Sequence, residues 1–358
     1  MRGAPESRVR DALESGDSLP GTAGFAGELD GALVRDVLGR QPIFSERGDH
    51  TTWSFDHRNL SNPVAVPPGH KRDEAGLEQV WSLPDPPATA DREEALETVQ
   101  IAVLDSTREV EADGLAVAFS GGVDSAVVAA GVPDAPCYVA GFEGSHDIDA
   151  AHAAAEAMGR ELRVVELTHD ELREAIPEVV AALGRTNPMD VQIVLPLYLL
   201  AERVADDGYD RLAVGQGADE LFGGYAKVAK APGDHRVEAE TIRGAAREMI
   251  RTLPDQLERD LLTLRAAGVE PVAPLLHDRV VKAALPLPDE LLVDGDRRKV
   301  ALREASREVL PESVVEADKK AVQYGTYASR ELDRLARQAG YKRRMDNHVE
   351  RYIRSLVE

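Results

Sequence analysis

Apolar residues change their spacing along the chain. From Gly21 to Gly69 they come in short bursts, GFAGEL, ALVRDVL, QPIFSE and TTWSFD, separated by polar, Gly-rich turns, which predicts a small β-rich module. A Pro-dense stretch follows, VAVPPGH and then SLPDPPATAD. Proline cannot donate to a sheet ladder and disrupts helix interiors, so the domain linker is expected there. Next, ADREEALETVQIAVLDSTREVEAD sets Leu96, Val99, Ile101, Val103 and Leu104 in a charged background, the pattern of an amphipathic helix. The runs GLAVAF, SAVVAAGV, CYVAGF, IDAAHAAAEAMGR, RVVEL and HDELREAIPEVVAALG then alternate between strand-like and helix-like. That alternation predicts an α/β fold with a doubly wound parallel sheet. From about Thr241 onward helical periodicity dominates. The expected division is a β-rich module with its Pro-rich linker over 1–85, an α/β domain over 90–330, and a basic helical tail over 331–358.

Charge narrows the function. The 358 residues carry 42 Lys and Arg against 64 Asp and Glu, a net charge of −22 that repels phosphate backbones and makes nucleic acid an unlikely partner. Only eight of the basic residues are Lys, and an acid-rich, Lys-poor balance is expected of a protein from a high-salt cytosol. One cysteine, Cys137, excludes an intrachain disulfide framework and fits a reducing compartment. Residues 1–18 lack an apolar signal core, and the most apolar windows are far shorter than the roughly 20 residues a bilayer needs. A cytoplasmic location without membrane contact is expected. None of the nine His falls in a HExxH or HxH pairing, so no transition metal is assigned. In the C-terminal run Arg343, Arg344, Arg351 and Arg354 are interspersed with Asp346 and Glu350, the mark of a salt-bridged helix face.

Two strings carry the chemistry. Ser120-Gly121-Gly122-Val123-Asp124-Ser125 lies where a buried strand gives way to an Ala/Val-rich helix. Two glycines permit a tight turn and close backbone approach, and the helix N–H groups then face an anion, with Ser120 and Ser125 adding hydroxyls. The common phosphate loop, GxxxxGK followed by Ser or Thr, is absent. The string resembles the ATP pyrophosphatase family, in which SGGxDS grips the pyrophosphate part of ATP while a substrate oxygen attacks the α-phosphorus. The second string runs from Gly215 to Tyr225, GQGADELFGGY, after the strand-like RLAVG. Together the two resemble the synthetase domain of the asparagine synthetase family, whose corresponding string is SGEGxDExFGGY. The resemblance spans about Glu94 to Tyr327 and includes GFEGSHDIDAAHAAAEAMG, GVEPVAPLLHD at 268–278 and KVALREA at 299–305.

The resemblance implies a sheet of the ATP pyrophosphatase type, ATP and Mg²⁺ as cofactors, and roles for individual residues. Asp124 and Asp219 match the two carboxylates that hold Mg²⁺ on the β- and γ-phosphates. Lys299 matches the lysine over the α-phosphate in the transition state. Phe119, Ala140, Val214 and Gly215 match positions lining the adenosine, and Lys320 resembles a second basic position near the pyrophosphate exit. Ser120, Gly121, Gly122, Val123 and Ser125 would bind the phosphates.

Three departures bear on the acceptor. Glutamine-dependent members have a cysteine nucleophile after the initiator Met; here Arg2 stands there, so glutamine cleavage by that nucleophile is not expected. Residues 20–70 nevertheless keep fragments resembling the glutaminase domain, ALVRDVLGRQPIF and VAVPPGH, and read as a shortened non-catalytic remnant. Gln216 replaces the glutamate that acts as base when ammonia attacks; its amide orients a nucleophile but takes no proton. Gln192 sits where asparagine synthetases carry an arginine, and Gln pairs poorly with a carboxylate. The leading expectation is an ATP-dependent, AMP-forming ligase that adenylates a carboxylate, by default aspartate, and transfers ammonia to it. Two alternatives stay open: adenylation of another carboxylate or of a nucleobase or tRNA carbonyl, and a non-catalytic ATP-binding regulator. A separate glutaminase subunit and a homo-oligomer are further expected partners left open.

Overall fold

The computed structural model describes residues 1–231, 239, 241–317 and 324–357. The chain opens with α1 (Glu6–Ser15), which ends at Gly16 in the left-handed conformation and buries Val9 and Ala12 against Phe25, Val34 and Trp81. Seven short strands follow: β1 (Ala26–Leu29), β2 (Ala32–Arg35), β3 (Phe44–Glu46), β4 (Asp49–Ser54), β5 (Pro63–Ala65), β6 (His70–Asp73) and β7 (Gly76–Gln79). They pair antiparallel into two sheets, ordered β1-β2-β6-β7 and β4-β3-β5. Strands β5 to β7 occupy part of the Pro-dense stretch. Pro63 opens β5, where its missing N–H costs no ladder bond, and Pro67 and Pro68 fall in the turn before β6. The segment after β7 is extended, and Arg247 clasps it by donating to the carbonyls of Leu83 (2.8 Å) and Pro84 (2.6 Å).

The α/β part begins with α2 (Arg92–Arg108), capped by the Asp91 carboxylate. Then come β8 (Leu115–Ala118), α3 (Val123–Gly131), β9 (Cys137–Gly141), α4 (His146–Met158), β10 (Leu162–Glu166), α5 (His169–Leu183), α6 (Pro188–Asp206) and β11 (Arg211–Ala213). Strand β9 is buried at all five residues, as expected of a strand covered by helices on both faces. Helix α5 starts in a reciprocal capping box of Thr168 and Glu171. After β11 come α7 (Ala218–Leu221), α8 (Ala226–Ala229), α9 (Ile242–Arg251), α10 (Leu253–Ala266) and β12 (Glu270–Val272). The five parallel strands are ordered β10-β9-β8-β11-β12. This is the expected α/β class, with the β-rich N-terminal module and a helical C-terminal part.

The C-terminal part holds α11 (Asp278–Ala284), α12 (Asp289–Leu292), the two-residue strands β13 (Val293–Asp294) and β14 (Arg297–Arg298), α13 (Val300–Ser306), α14 (Glu312–Val315), α15 (Tyr324–Gln338) and α16 (His348–Val357). Helix α15 runs across residue 331, and Leu332, Leu335, Ala336, Tyr352 and Ile353 join the core on the α6 side of the sheet. Asp333 gathers Arg337, Arg343 and His348, so much of the basic character of this segment is spent within it. Among the described residues no helix is long and apolar enough to cross a membrane.

A buried cation joins the N-terminal module to the α/β part. Arg40 pairs with Asp36 (2.8 Å) in its own loop and with Asp278 (2.7 Å) at the start of α11, and donates to the Leu276 carbonyl at 2.7 Å. Asp278 also accepts from the Thr22 N–H at 2.7 Å. Removing one member of a buried ionic set strands the others away from water. Arg40→Met is therefore expected to lower unfolding free energy by about 3–5 kcal/mol. Denaturant melts of parent and variant check this; an unchanged midpoint would show that the two parts hold together without Arg40.

Candidate active site

Strand order positions the site. From β8 the chain moves outward to β9 and β10, then returns to lay β11 on the other side of β8. Ligands of open α/β sheets bind at the carboxyl ends of the two strands flanking such a reversal. Both strings emerge there, one after β8 and one after β11.

In the first turn Gly121 is left-handed (φ 75°), and a Cβ there would lie 2.6 Å from the Ala150 carbonyl oxygen. Gly122 caps α3 without a side chain, leaving the first N–H groups of the helix facing outward. Ser125 Oγ donates to the Gly122 carbonyl (3.1 Å) and accepts from the Ser120 N–H (3.1 Å), so it braces the turn. Val123 packs into the core and Asp124 occupies the first helical turn. Phe119 is fully buried, with its N–H on the Tyr138 carbonyl (2.7 Å), so its ring serves packing and only its backbone borders the turn. Ala140 lies in β9, and Val214 and Gly215 continue β11.

The second turn touches the first. A Cβ on Gly215 would lie 2.9 Å from the Asp124 carbonyl carbon, so only glycine permits this approach. Asp219, in the first turn of α7, meets Asp124 across a shared cation: Lys299 Nζ lies 2.5 Å from Asp124 Oδ2 and 2.7 Å from Asp219 Oδ1. Lys299 is 4% exposed and holds a left-handed backbone (φ 59°) just before α13. A non-glycine there costs about 1–3 kcal/mol, a strain found where side-chain placement is over-determined by function or packing. Three residues from α3, α7 and the start of α13, far apart in sequence, thus converge within hydrogen-bond distance. Lys320 lies outside the described residues.

Beside them opens a cavity of about 510 Å³, lined by Gly215, Gln216, Gly217, Asp219, Arg259 and Asp260 among others, with Ile193, Leu197 and Met249 as its apolar wall. Gln216 Nε2 donates to Asp260 Oδ2 at 2.5 Å, and Asp260 Oδ1 accepts from Arg259 Nε at 2.7 Å. Burial pushes the Asp260 carboxyl above its ordinary range, against the pull of Arg259 and Gln216. Glu220 is likewise raised by burial and accepts from the Tyr225 hydroxyl at 2.5 Å. Arg259 and Asp260 have no signature in sequence, because QLERDLLTL reads as one more stretch of amphipathic helix. Cys137 is buried in β9 and its thiol is pushed up by desolvation, so it is a poor nucleophile. A separate, mostly apolar cavity of about 310 Å³ between the N-terminal module and the sheet contains none of the residues of the two strings.

Among the described residues no three His, Cys, Asp or Glu cluster as a metal site. Asp124 and Asp219 fit Mg²⁺ instead, a hard ion that binds through one or two carboxylates and completes its shell with phosphate oxygens and water. A single ammonium already lies against both carboxylates, so their oxygens converge on a position suited to positive charge.

A parallel sheet with a phosphate-type turn at its switch point defines a doubly wound α/β protein with an anion-binding turn, and the SGGVDS sequence of that turn resembles the ATP pyrophosphatase type. The chain matches the asparagine synthase family over residues 98–249 and 229–354, and it belongs to that family. Its similarity to individual members is distant. It is 28% identical over 285 residues to a Methanocaldococcus jannaschii protein that carries the name asparagine synthetase (glutamine-hydrolyzing) 1, covering 68% of this chain and 52% of that one. It is 26% identical over 326 residues to the glutamine-hydrolyzing asparagine synthetase of Brassica oleracea, covering 80% and 54%. With asparagine synthetase B of Escherichia coli it shares 26% over 218 residues, covering 55% and 39%. The matched regions span about half the length of these relatives or less. The family is one of ATP-dependent amidotransferases, typically AMP-forming ligases.

Proposed function

We propose that the chain is an AMP- and pyrophosphate-forming amide ligase that adenylates a small carboxylate and transfers ammonia to it, with aspartate the first acceptor to test. The observation that carries this reading is the convergence of Asp124, Asp219 and Lys299 beside the SGGVDS turn. The acceptor's carboxylate oxygen forms a bond to the α-phosphorus as the bond to pyrophosphate breaks. Ammonia then displaces AMP. The N–H groups at the start of α3 and the Ser120 hydroxyl hold the phosphates, while Ser125 keeps the turn in shape through the Gly122 carbonyl and the Ser120 N–H. Val214 and Gly215 border the adenosine. Mg²⁺ on Asp124 and Asp219 would neutralise charge on the departing pyrophosphate. Lys299 supplies positive charge at the α-phosphate, where charge builds in the transition state. Free ammonia as the nitrogen source is supported by the buried, raised thiol of Cys137. A salt-rich cytoplasm completes the reading, with a separate glutaminase subunit as the alternative nitrogen source and a homo-oligomer as a further open partner.

A second reading keeps the adenylation and changes the acceptor. It is favoured by Gln192 in place of the family's arginine, and by Arg259, whose guanidinium is engaged with Asp260 (2.7 Å) and lies 3.6 Å from Asp190. Neither leaves a dedicated clamp for a second substrate carboxylate.

The test is pyrophosphate release from ATP, Mg²⁺ and ammonium in molar KCl, where the Debye length of about 3 Å screens the chain's self-repulsion. Aspartate-dependent release with asparagine found by mass spectrometry is expected under the first reading. Release only with other acids would support the second. Asp124→Asn is expected to abolish release while leaving the circular dichroism spectrum unchanged. Parent-like turnover in that variant would remove the metal role assigned to Asp124.

A further inference from the structure

Gln216 occupies the position where the resembled family string has a carboxylate, and its amide accepts no proton near neutral pH. The structure puts a carboxylate back at that point from elsewhere. Asp260, on α10 and 44 residues further along the chain, accepts the Gln216 amide hydrogen on Oδ2 at 2.5 Å and lines the same cavity as Gln216 and Asp219. Its other oxygen accepts from Arg259 Nε at 2.7 Å. Arg259 lies 3.6 Å from Asp190 Oδ1, and Asp190 Oδ2 accepts from Arg185 Nε at 2.7 Å. The remaining titratable groups of the cavity besides Asp219 are Glu220, Tyr225 and Lys227, and Glu220 is engaged by the Tyr225 hydroxyl. Asp260 is thus a carboxylate at the cavity wall, fixed in orientation on both oxygens and 8% exposed.

We propose that Asp260 is the proton acceptor for amide formation and that Gln216 is the positioning residue that aims its Oδ2 at the attacking nitrogen. The proposal rests on the ligase reading above. The nitrogen lone pair forms the C–N bond at the acyl-adenylate carbonyl, and the carbonyl π pair moves onto its oxygen. One N–H proton passes to Asp260 Oδ2. As the carbonyl re-forms, the C–O bond to AMP breaks and AMP leaves with that electron pair; Asp260 then returns its proton to water in the cavity. Burial raises the affinity of Asp260 for a proton, while Arg259 keeps the charged form in place. A purely structural Arg259–Asp260 ion pair on α10 is the competing account.

The two half-reactions separate these accounts. ATP–pyrophosphate exchange reports adenylation; amide formed from ammonium chloride reports transfer. Both are followed with L-aspartate, or with the first acid of an amino-dicarboxylate panel that supports exchange in the parent chain. Asp260→Asn is expected to retain exchange and to lower amide formation by about 10²–10⁴-fold, the usual worth of a positioned general base. The double variant Gln216→Glu with Asp260→Asn keeps the hydrogen bond with donor and acceptor exchanged, and is expected to recover amide formation. In the parent, amide formation referred to the concentration of free ammonia should fall as pH drops through the raised carboxyl pKa of Asp260, because the base must be ionised; Asp260→Asn should lose that limb. Parent-like amide formation in Asp260→Asn overturns the proposal, as does joint loss of exchange and amide without recovery in the double variant. A parent chain that supports no exchange with any acid overturns the ligase reading, and this inference with it.

Discussion

Lys299→Met is expected to reduce pyrophosphate release by about 10²–10³-fold, the scale of removing one preorganised charge from a transition state. The same substitution should expose a second role for Lys299. Asp124 and Asp219 come from separate turns, and like charges brought together in a desolvated place repel. The ammonium shared by both offsets that repulsion before any nucleotide arrives. Removing a buried ionic partner costs about 3–5 kcal/mol, so in EDTA the variant should melt well below the parent. Mg²⁺ should restore part of this loss, because it can take the same two carboxylates, while the parent should respond little. Thermal melts with and without Mg²⁺, run beside the pyrophosphate assay, check both effects. A variant as stable as the parent in EDTA and indifferent to Mg²⁺ would remove the electrostatic account of the site.

How far this site could be read from sequence depends on the distance over which each signal acts. The SGGVDS turn is a local device: glycines for a tight bend, a hydroxyl brace from Ser125, and a helix start, all within six residues. The alternation from GLAVAF to HDELREAIPEVVAALG is also local, and it carried the parallel sheet. Short or half-buried elements were less legible. Helix α1 opens in a polar segment and shows its purpose only when Val9 and Ala12 meet Phe25 and Trp81. Strand β12 is three residues long and contains Pro271; it sits at the sheet edge, where the missing N–H is tolerated. Strands β5 to β7 were obscured by prolines that in fact sit at a strand start and in a turn. Asp260 had no local signal. One carboxylate in an amphipathic helix looks like any other until the fold brings Gln216 to it.

The adjacent glycines of FGGY look equivalent in sequence and are not equivalent in space. Gly223 is left-handed (φ 71°), and a Cβ there would meet Leu292 Cβ at 3.2 Å, so Gly223→Ala should act mainly on stability. Gly224 lies outside the left-handed region; its constraint is proximity. A Cβ on Gly224 would lie 1.9 Å from Asp219 Oδ1 and 2.3 Å from Lys299 Cε. No rotation of the new methyl group relieves this, since Cβ is fixed by the backbone, so both the Asp219 carboxylate and the Lys299 side chain must shift. A 1 Å misplacement of a reacting group costs on the order of 10²-fold in rate. Gly224→Ala is therefore expected to lose pyrophosphate release by at least about 10²-fold, with an overpacking cost of about 1–3 kcal/mol. Gly223→Ala should keep most of its turnover at a temperature where it remains folded. Measuring turnover and melting temperature for both variants separates the effects. Parent-like turnover in Gly224→Ala would mean that Lys299 and Asp219 need not meet for the reaction to proceed.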